Sequence, residues 1–191
     1  MPPTSSMNTA HIALAFALAA TASGQALQMS AEHALLAQHA GVWDATVVYV
    51  DQKTGEPTQA KGTSVRRQPL GSSWLIDNFQ ASLKRAPFRG MATTGYDPIK
   101  KKLVGTWIDS MTASLTILEG GWDKDRKVMT MSGARRDPQG RAVTTRVVTS
   151  IISKDKHVSE VFTQAQGGKE RKTMTVTFTR RSRPMDKVRK L

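Results

Sequence analysis

Residues 30–39 (SAEHALLAQH) place Ala31, Leu35, Leu36 and Ala40 near one face, with Ser30 in the N-cap position and Gly41 as a stop, and so predict one short amphipathic helix. Helical periodicity ends there. From Trp43 to about Arg180 apolar and β-branched residues alternate with polar ones, as at Val47, Tyr49, Val143, Val147, Ile151, Val176 and Phe178, which is the period of a half-buried strand.

Turn-forming residues divide this stretch evenly. They fall at Lys53-Thr54-Gly55, Pro69-Leu70-Gly71, Arg85-Ala86-Pro87, Asp97-Pro98, Met111-Thr112, Asp123-Lys124-Asp125, Asp137-Pro138-Gln139-Gly140, Lys154-Asp155 and Gln166-Gly167-Gly168. With no helical segment between them, the expected fold is all-β, an up-and-down antiparallel β-barrel of about ten strands preceded by one short α-helix, because a sheet that wide curls shut to remove its edges. A barrel of that size has room for a small ligand, unless large side chains fill it.

Alternation then assigns faces. Trp43, Ala45, Val47 and Tyr49 share one side, as do Phe88, Gly90, Ala92, Thr94 and Tyr96, and as do Leu103, Gly105, Trp107, Asp109 and Met111. Taking these sets as interior makes Trp43, Tyr49, Phe88, Tyr96, Trp107 and Asp109 the candidate ligand-binding residues, with Asp109 the inward carboxylate that needs a partner. Asp109 is either a brace at a strand end or the polar anchor of a pocket walled by Trp107, Tyr96 and Phe88. Arg146 and Glu160 are a second candidate interior pair, subject to a one-residue change of register.

The N-terminus has a different character. Residues 12–20 (IALAFALAA) form an unbroken apolar run too short to span a bilayer, followed by small residues at Ala20-Thr21-Ala22 and Gly24-Gln25-Ala26. This reads as a signal peptide over residues 1–26, a barrel domain over 27–181 and a basic tail over 182–191, and hence as a periplasmic or secreted protein. The segment ahead of the run departs from the usual pattern in having no Lys or Arg. The absence of cysteine excludes disulfides, a thiolate nucleophile and a lipid-modified cysteine.

Charge adds a surface to this picture. Lys and Arg number 28 against 15 Asp and Glu, a net +13, all of it beyond a leading segment whose only ionisable side chain before Glu32 is His11. The clusters Arg66-Arg67, Lys84-Arg85, Lys100-Lys101-Lys102, Arg135-Arg136 and Arg180 to Lys190 fall mostly at turns or in the tail and are expected at the surface. No stacking aromatics or nucleic-acid-binding motif accompany them, so an anionic envelope lipid or polysaccharide suits them better than nucleic acid.

Catalytic and metal signatures are missing. The four histidines show no zinc spacing, no nucleophile elbow or phosphate-cradling loop occurs, and residues 123–127 (DKDRK) lack the Gly and distal Glu of a calcium loop and read as a hairpin turn. No cofactor is expected, and an enzyme would have only Asp109 as its acid or base.

Gly41-Val42-Trp43 after a short helix resembles the G-x-W opening of lipocalin-like barrels. More specifically, Ser73-Trp74-Leu75, Gly95-Tyr96-Asp97, the block Gly105 to Met111 (GTWIDSM), Lys172-Thr173-Met174 and Phe178-Thr179-Arg180 are, in that order, similar to the bacterial domain of unknown function 1579 family. The resemblance implies a calycin-like barrel over Ala31 to Arg181 and no activity. A related class of ten-stranded barrels binds haem through a histidine; here the barrel's histidine is His157, which its place at a turn edge predicts to be solvent-exposed. Two function classes remain: a protein that binds a small apolar or amphipathic molecule inside the barrel, and an envelope interaction module acting through its basic surface.

Overall fold

The computed structural model describes residues 29–50, 54–69, 73–83, 86–112, 114–137 and 140–182. The segments read as a signal peptide and, from residue 183, as a basic tail lie outside the described residues. One helix, α1 (Ala31–Gln38), precedes ten strands: β1 (Gly41–Val50), β2 (Pro57–Arg67), β3 (Trp74–Leu83), β4 (Ala86–Asp97), β5 (Lys102–Asp109), β6 (Thr116–Asp123), β7 (Val128–Arg136), β8 (Ala142–Ser153), β9 (Lys156–Ala165) and β10 (Arg171–Arg180).

Every strand pairs antiparallel with its sequence neighbours, and β1 also pairs with β10, so the sheet closes into a barrel. Closure leaves no edge to template aggregation. The ladder shifts register between Lys172 and Met174 and again between Ile151 and Ser153.

Register fixes the interior. Trp43 faces Ser64 and Arg180, Ala45 faces Gly62 and Phe178, and Val47 faces Ala60 and Val176, so small residues on β2 make room for larger ones on β1 and β10. The face assignments made from alternation hold for β1, β4 and β5. Met111 is the exception: it lies past the end of β5 and is exposed. Arg146 and Glu160 also depart from expectation, because their odd-numbered neighbours Val147 and Val161 pair inside and leave both on the outer face. There Arg146 stacks over Phe162 and pairs with Glu170, while Glu160 pairs with Lys172.

α1 covers one end of the barrel. Its Leu36 packs with Leu75, Leu103 and Met131, while Ala31, expected on the same face, is exposed and His33 is buried instead. His33 Nδ1 accepts from the backbone N–H of Ser30, the place a Glu or Gln takes in a capping box. The helix C-terminus is held by Arg180, whose guanidinium donates to the carbonyls of Ala40 and Gln38 and lies 4.1 Å over the Trp43 ring. Gly41 enters β1 with φ +131°, where a side chain would meet that guanidinium.

The loops at the helix end include residues 98–101, 124–127 and 154–155; the opposite end, here called the mouth, carries the connections around residues 110–115, 140–141 and 166–170. At the helix end Asp123 closes its hairpin turn by accepting the N–H groups of Asp125 and Arg126.

Candidate functional site

Two groups of chemistry-bearing side chains lie inside the barrel. The first sits under α1. Arg66, at the end of the inward series Ala60, Gly62, Ser64 on β2, is only 8% exposed, and its Nε donates to Asp77 Oδ2 and Ser64 Oγ, both at 2.9 Å. Ser64 in turn donates to Asp77 Oδ1 at 2.6 Å. The guanidinium Nη1 reaches His157 Nε2 at 2.8 Å and, more loosely, His39 Nδ1 at 3.4 Å.

A guanidinium has only donors, so both ring nitrogens facing it accept, and both imidazoles are neutral. Burial, reinforced by Arg66, holds His39 down to about 4 and His157 down to about 2. Aromatic rings complete the enclosure: His157 stacks on Phe178 at 4.7 Å and meets Trp43 edge-on at 4.5 Å, and the guanidinium lies 4.5 Å over Phe178. Trp43 Nε1 donates to the His39 carbonyl. This buried ion pair has its hydrogen bonds satisfied by its neighbours and seals the helix end.

Two expectations fall here. Arg66 is interior rather than a surface cation, because it is the inward member of the Arg66-Arg67 pair. His157 is 1% exposed rather than solvent-facing, because the rings of Trp43, Phe178 and His39 and the Arg66 guanidinium enclose it. Its Nε2 lone pair is taken by Arg66, so the imidazole as placed offers nothing to a haem iron.

The second group lies toward the mouth. Trp107 Nε1 donates to Asp109 Oδ2 at 2.9 Å, and Phe88 stacks against the Trp107 ring at 6.4 Å. The indole lies over Gly90, where a Cβ would collide with its Cη2 and Cζ2. Only glycine admits the ring there. Tyr49, Leu83, Trp107 and Met174 pack half-buried against the core that contains Phe79, Phe88 and Phe178.

Asp109 is fully engaged by its own chain. While Oδ2 takes the indole, Oδ1 accepts from the N–H groups of Met111 and Thr112 and from Thr112 Oγ1. Tyr49 differs: its hydroxyl oxygen is buried and has no hydrogen-bond partner among the described residues.

Of the six candidates, the structure therefore brings Phe88, Trp107 and Asp109 into one contiguous set, with Tyr49 in the same apolar cluster. Trp43 belongs to that cluster but at the sealed end. Tyr96 lies apart, in the cluster of Leu36 and Leu103 and edge-on to His33 at 5.7 Å. Around the lumen, the inward residues Val147 and Val161 stay half-exposed, unlike Val47 and Val176 on β1 and β10, so solvent reaches the β8–β9 wall.

Two surface concavities accompany these groups. One of about 570 Å³ crosses the outside of β1 to β4 past Thr46, Lys61, Gln80 and Arg89; one of about 350 Å³ lies between α1 and the turns carrying Lys124, Lys127 and Lys154. Neither is lined by Tyr49 or Trp107.

A closed ten-stranded antiparallel barrel capped by one helix places the protein among lipocalin-like barrels. Residues 28–180 match the family described as protein of unknown function (DUF1579), and the chain belongs to that family. Among curated proteins no relative matches the sequence. The fold is similar to the crystal structure of Rv2717c from M. tuberculosis, with a TM-score of 0.60 over 80% of this chain and 99% of that one at 11% identity. It is also similar to the S-type phycobiliprotein lyase CPES from Guillardia theta, with a TM-score of 0.53 over 82% of this chain and 96% of that one at 13% identity. At these identities the likeness is one of fold.

Proposed function

We propose that the protein binds a small amphipathic molecule in the mouth half of the lumen, with Tyr49 as its polar contact and Trp107, Phe88 and Met174 as its apolar wall. The observation that carries this reading is the Tyr49 hydroxyl, buried and unpartnered. A hydroxyl left in that state costs about 1–3 kcal/mol, which a ligand with a matching polar atom returns. The inward Val147 and Val161 on the β8–β9 wall are only partly buried, and Asp109 fixes the indole plane against which such a molecule would lie. The likeness to a phycobiliprotein lyase supports the reading at the level of fold.

On this reading the protein is exported: the apolar run at residues 12–20 and the small residues after it direct it across a membrane, and it works in the periplasm or outside the cell. A second reading, a non-enzymatic envelope interaction module, draws on the net charge of +13.

Native mass spectrometry of protein purified from its own cells tests the binding reading. A discrete mass excess that organic extraction removes is the expected result. A bare polypeptide mass, together with no binding of a dansylated fatty acid, contradicts it.

A further inference from the structure

The outer wall beside the mouth carries apolar residues that the fold leaves uncovered. Met91 and Ile108 are cross-strand partners on the outer face of β4 and β5, and Ile117 follows on β6, where it is 60% exposed. Between β5 and β6 the rim adds Met111 at 72% and Leu115 at 53% exposure. From Ser110 to Leu118 (SMTASLTIL) the sequence contains no charged residue. A contiguous exposed apolar surface of this kind marks an interaction site.

The rim is also held in place. Asp109 Oδ1 gathers the N–H groups of Met111 and Thr112, and Ser110 and Arg89 exchange hydrogen bonds across β4, Ser110 N–H to Arg89 carbonyl and Arg89 N–H to Ser110 Oγ. The turn that exposes Met111 is thus built by a carboxylate that also fixes Trp107. Polar anchoring inside supports an apolar tip outside.

Charge selects the occupant. Among the described residues, Arg89, Arg136, Arg141, Arg146, Lys169 and Arg171 stand around the mouth against Glu56, Asp109, Asp137 and Glu170; with Asp137 paired to Arg141 and Glu170 to Arg146, the remainder is still basic. A second copy docked rim to rim would oppose like charges. An anionic bilayer meets both features, attracting the basic ring while accepting the methionine, leucine and isoleucine side chains into its interface.

We propose that the mouth rim, led by Met111 and Leu115, is a docking edge for an anionic membrane surface. This orients the lumen toward the bilayer and holds whether or not the lumen carries a ligand.

Because the chain has no cysteine, one introduced thiol reports from one place. Full-length Met111→Cys, labelled with an environment-sensitive nitrobenzoxadiazole dye, is mixed with vesicles of phosphatidylcholine containing phosphatidylglycerol, beside Ile99→Cys labelled likewise. Ile99 is 93% exposed in the turn at the opposite end. The expected result is a several-fold, salt-sensitive rise in emission at position 111, little change at position 99, and little change on pure phosphatidylcholine. The proposal is overturned if position 111 stays dim, if both positions brighten alike, if neutral vesicles act as well as anionic ones, or if position 111 brightens with protein concentration alone, which would make the rim a contact between copies.

Discussion

Arg66 donates to the Nε2 of His157 across 91 residues of sequence, and this bond decides the protonation of the sealed end. A cation that always donates forces its partner to be an acceptor. The imidazole is therefore neutral, and a proton added to it would face Arg66 with like charge, with Arg180 beyond.

This arrangement makes stability depend on pH in a defined direction. His39 and His157 have folded pKa values of about 4 and about 2, below the ordinary value of 6.5, so the unfolded chain takes up protons first as pH falls. Their contribution is complete above about pH 6.5 and is lost on the way down, at up to about 1.4 kcal/mol per pH unit for each histidine. Urea midpoints measured from pH 7 to pH 5 should decline accordingly. In His157→Gln, whose amide oxygen still accepts from Arg66, the decline should be shallower.

Removing one member of the buried ion pair should cost more than removing both. Asp77→Ala leaves the Arg66 guanidinium buried without its carboxylate and should destabilise by about 3–5 kcal/mol. The double replacement Arg66→Met with Asp77→Leu should recover much of this loss in chemical denaturation. Equal losses in the single and double variants would show that the pair itself stabilises the barrel.

The strand count and turn positions were legible in the sequence because turn chemistry is local and because alternation with period two reports a face directly. Trp107 and Asp109 came out on the same inner wall for that reason. The ion pair under α1 was not found, although the same rule contained it: Ala60, Gly62, Ser64 and Arg66 form one inward series, and Leu75, Asp77 and Phe79 form another that pairs with it. Reading Arg66-Arg67 as a surface doublet hid the fact that neighbours in a strand point opposite ways. The burial of His157 and His39 depends on Arg66, Trp43 and Phe178, far apart in sequence, meeting them at the barrel end, tertiary contacts that no local pattern encodes. The unpartnered state of Tyr49 likewise follows from which groups fail to reach it.

Asp109 should behave as a brace. Asp109→Asn turns an N–H donor toward the indole N–H of Trp107 or gives up the turn hydrogen bonds, and either loss should lower stability by about 1–3 kcal/mol. Thermal melting and tryptophan emission, read beside binding of the dansylated fatty acid, check this. A large loss of binding with an unchanged melt would instead make the carboxylate a ligand contact.

Export should remove the leading segment near Ala22 or Ala26. The mass of protein recovered from its native cells decides this, and a chain that still begins at Met1 or Met7 would contradict it.

The proposed binding site depends most on the hydroxyl of Tyr49, and Tyr49→Phe tests it with two readouts on one protein. The substitution deletes a single oxygen that has no hydrogen-bond partner among the described residues, so urea denaturation should show stability unchanged or raised by about 1 kcal/mol. Titration with a dansylated fatty acid should show affinity reduced about 2- to 10-fold, the worth of one hydrogen bond. Stability that falls while affinity stays the same would make the hydroxyl part of the packing and remove the polar contact from the proposed site.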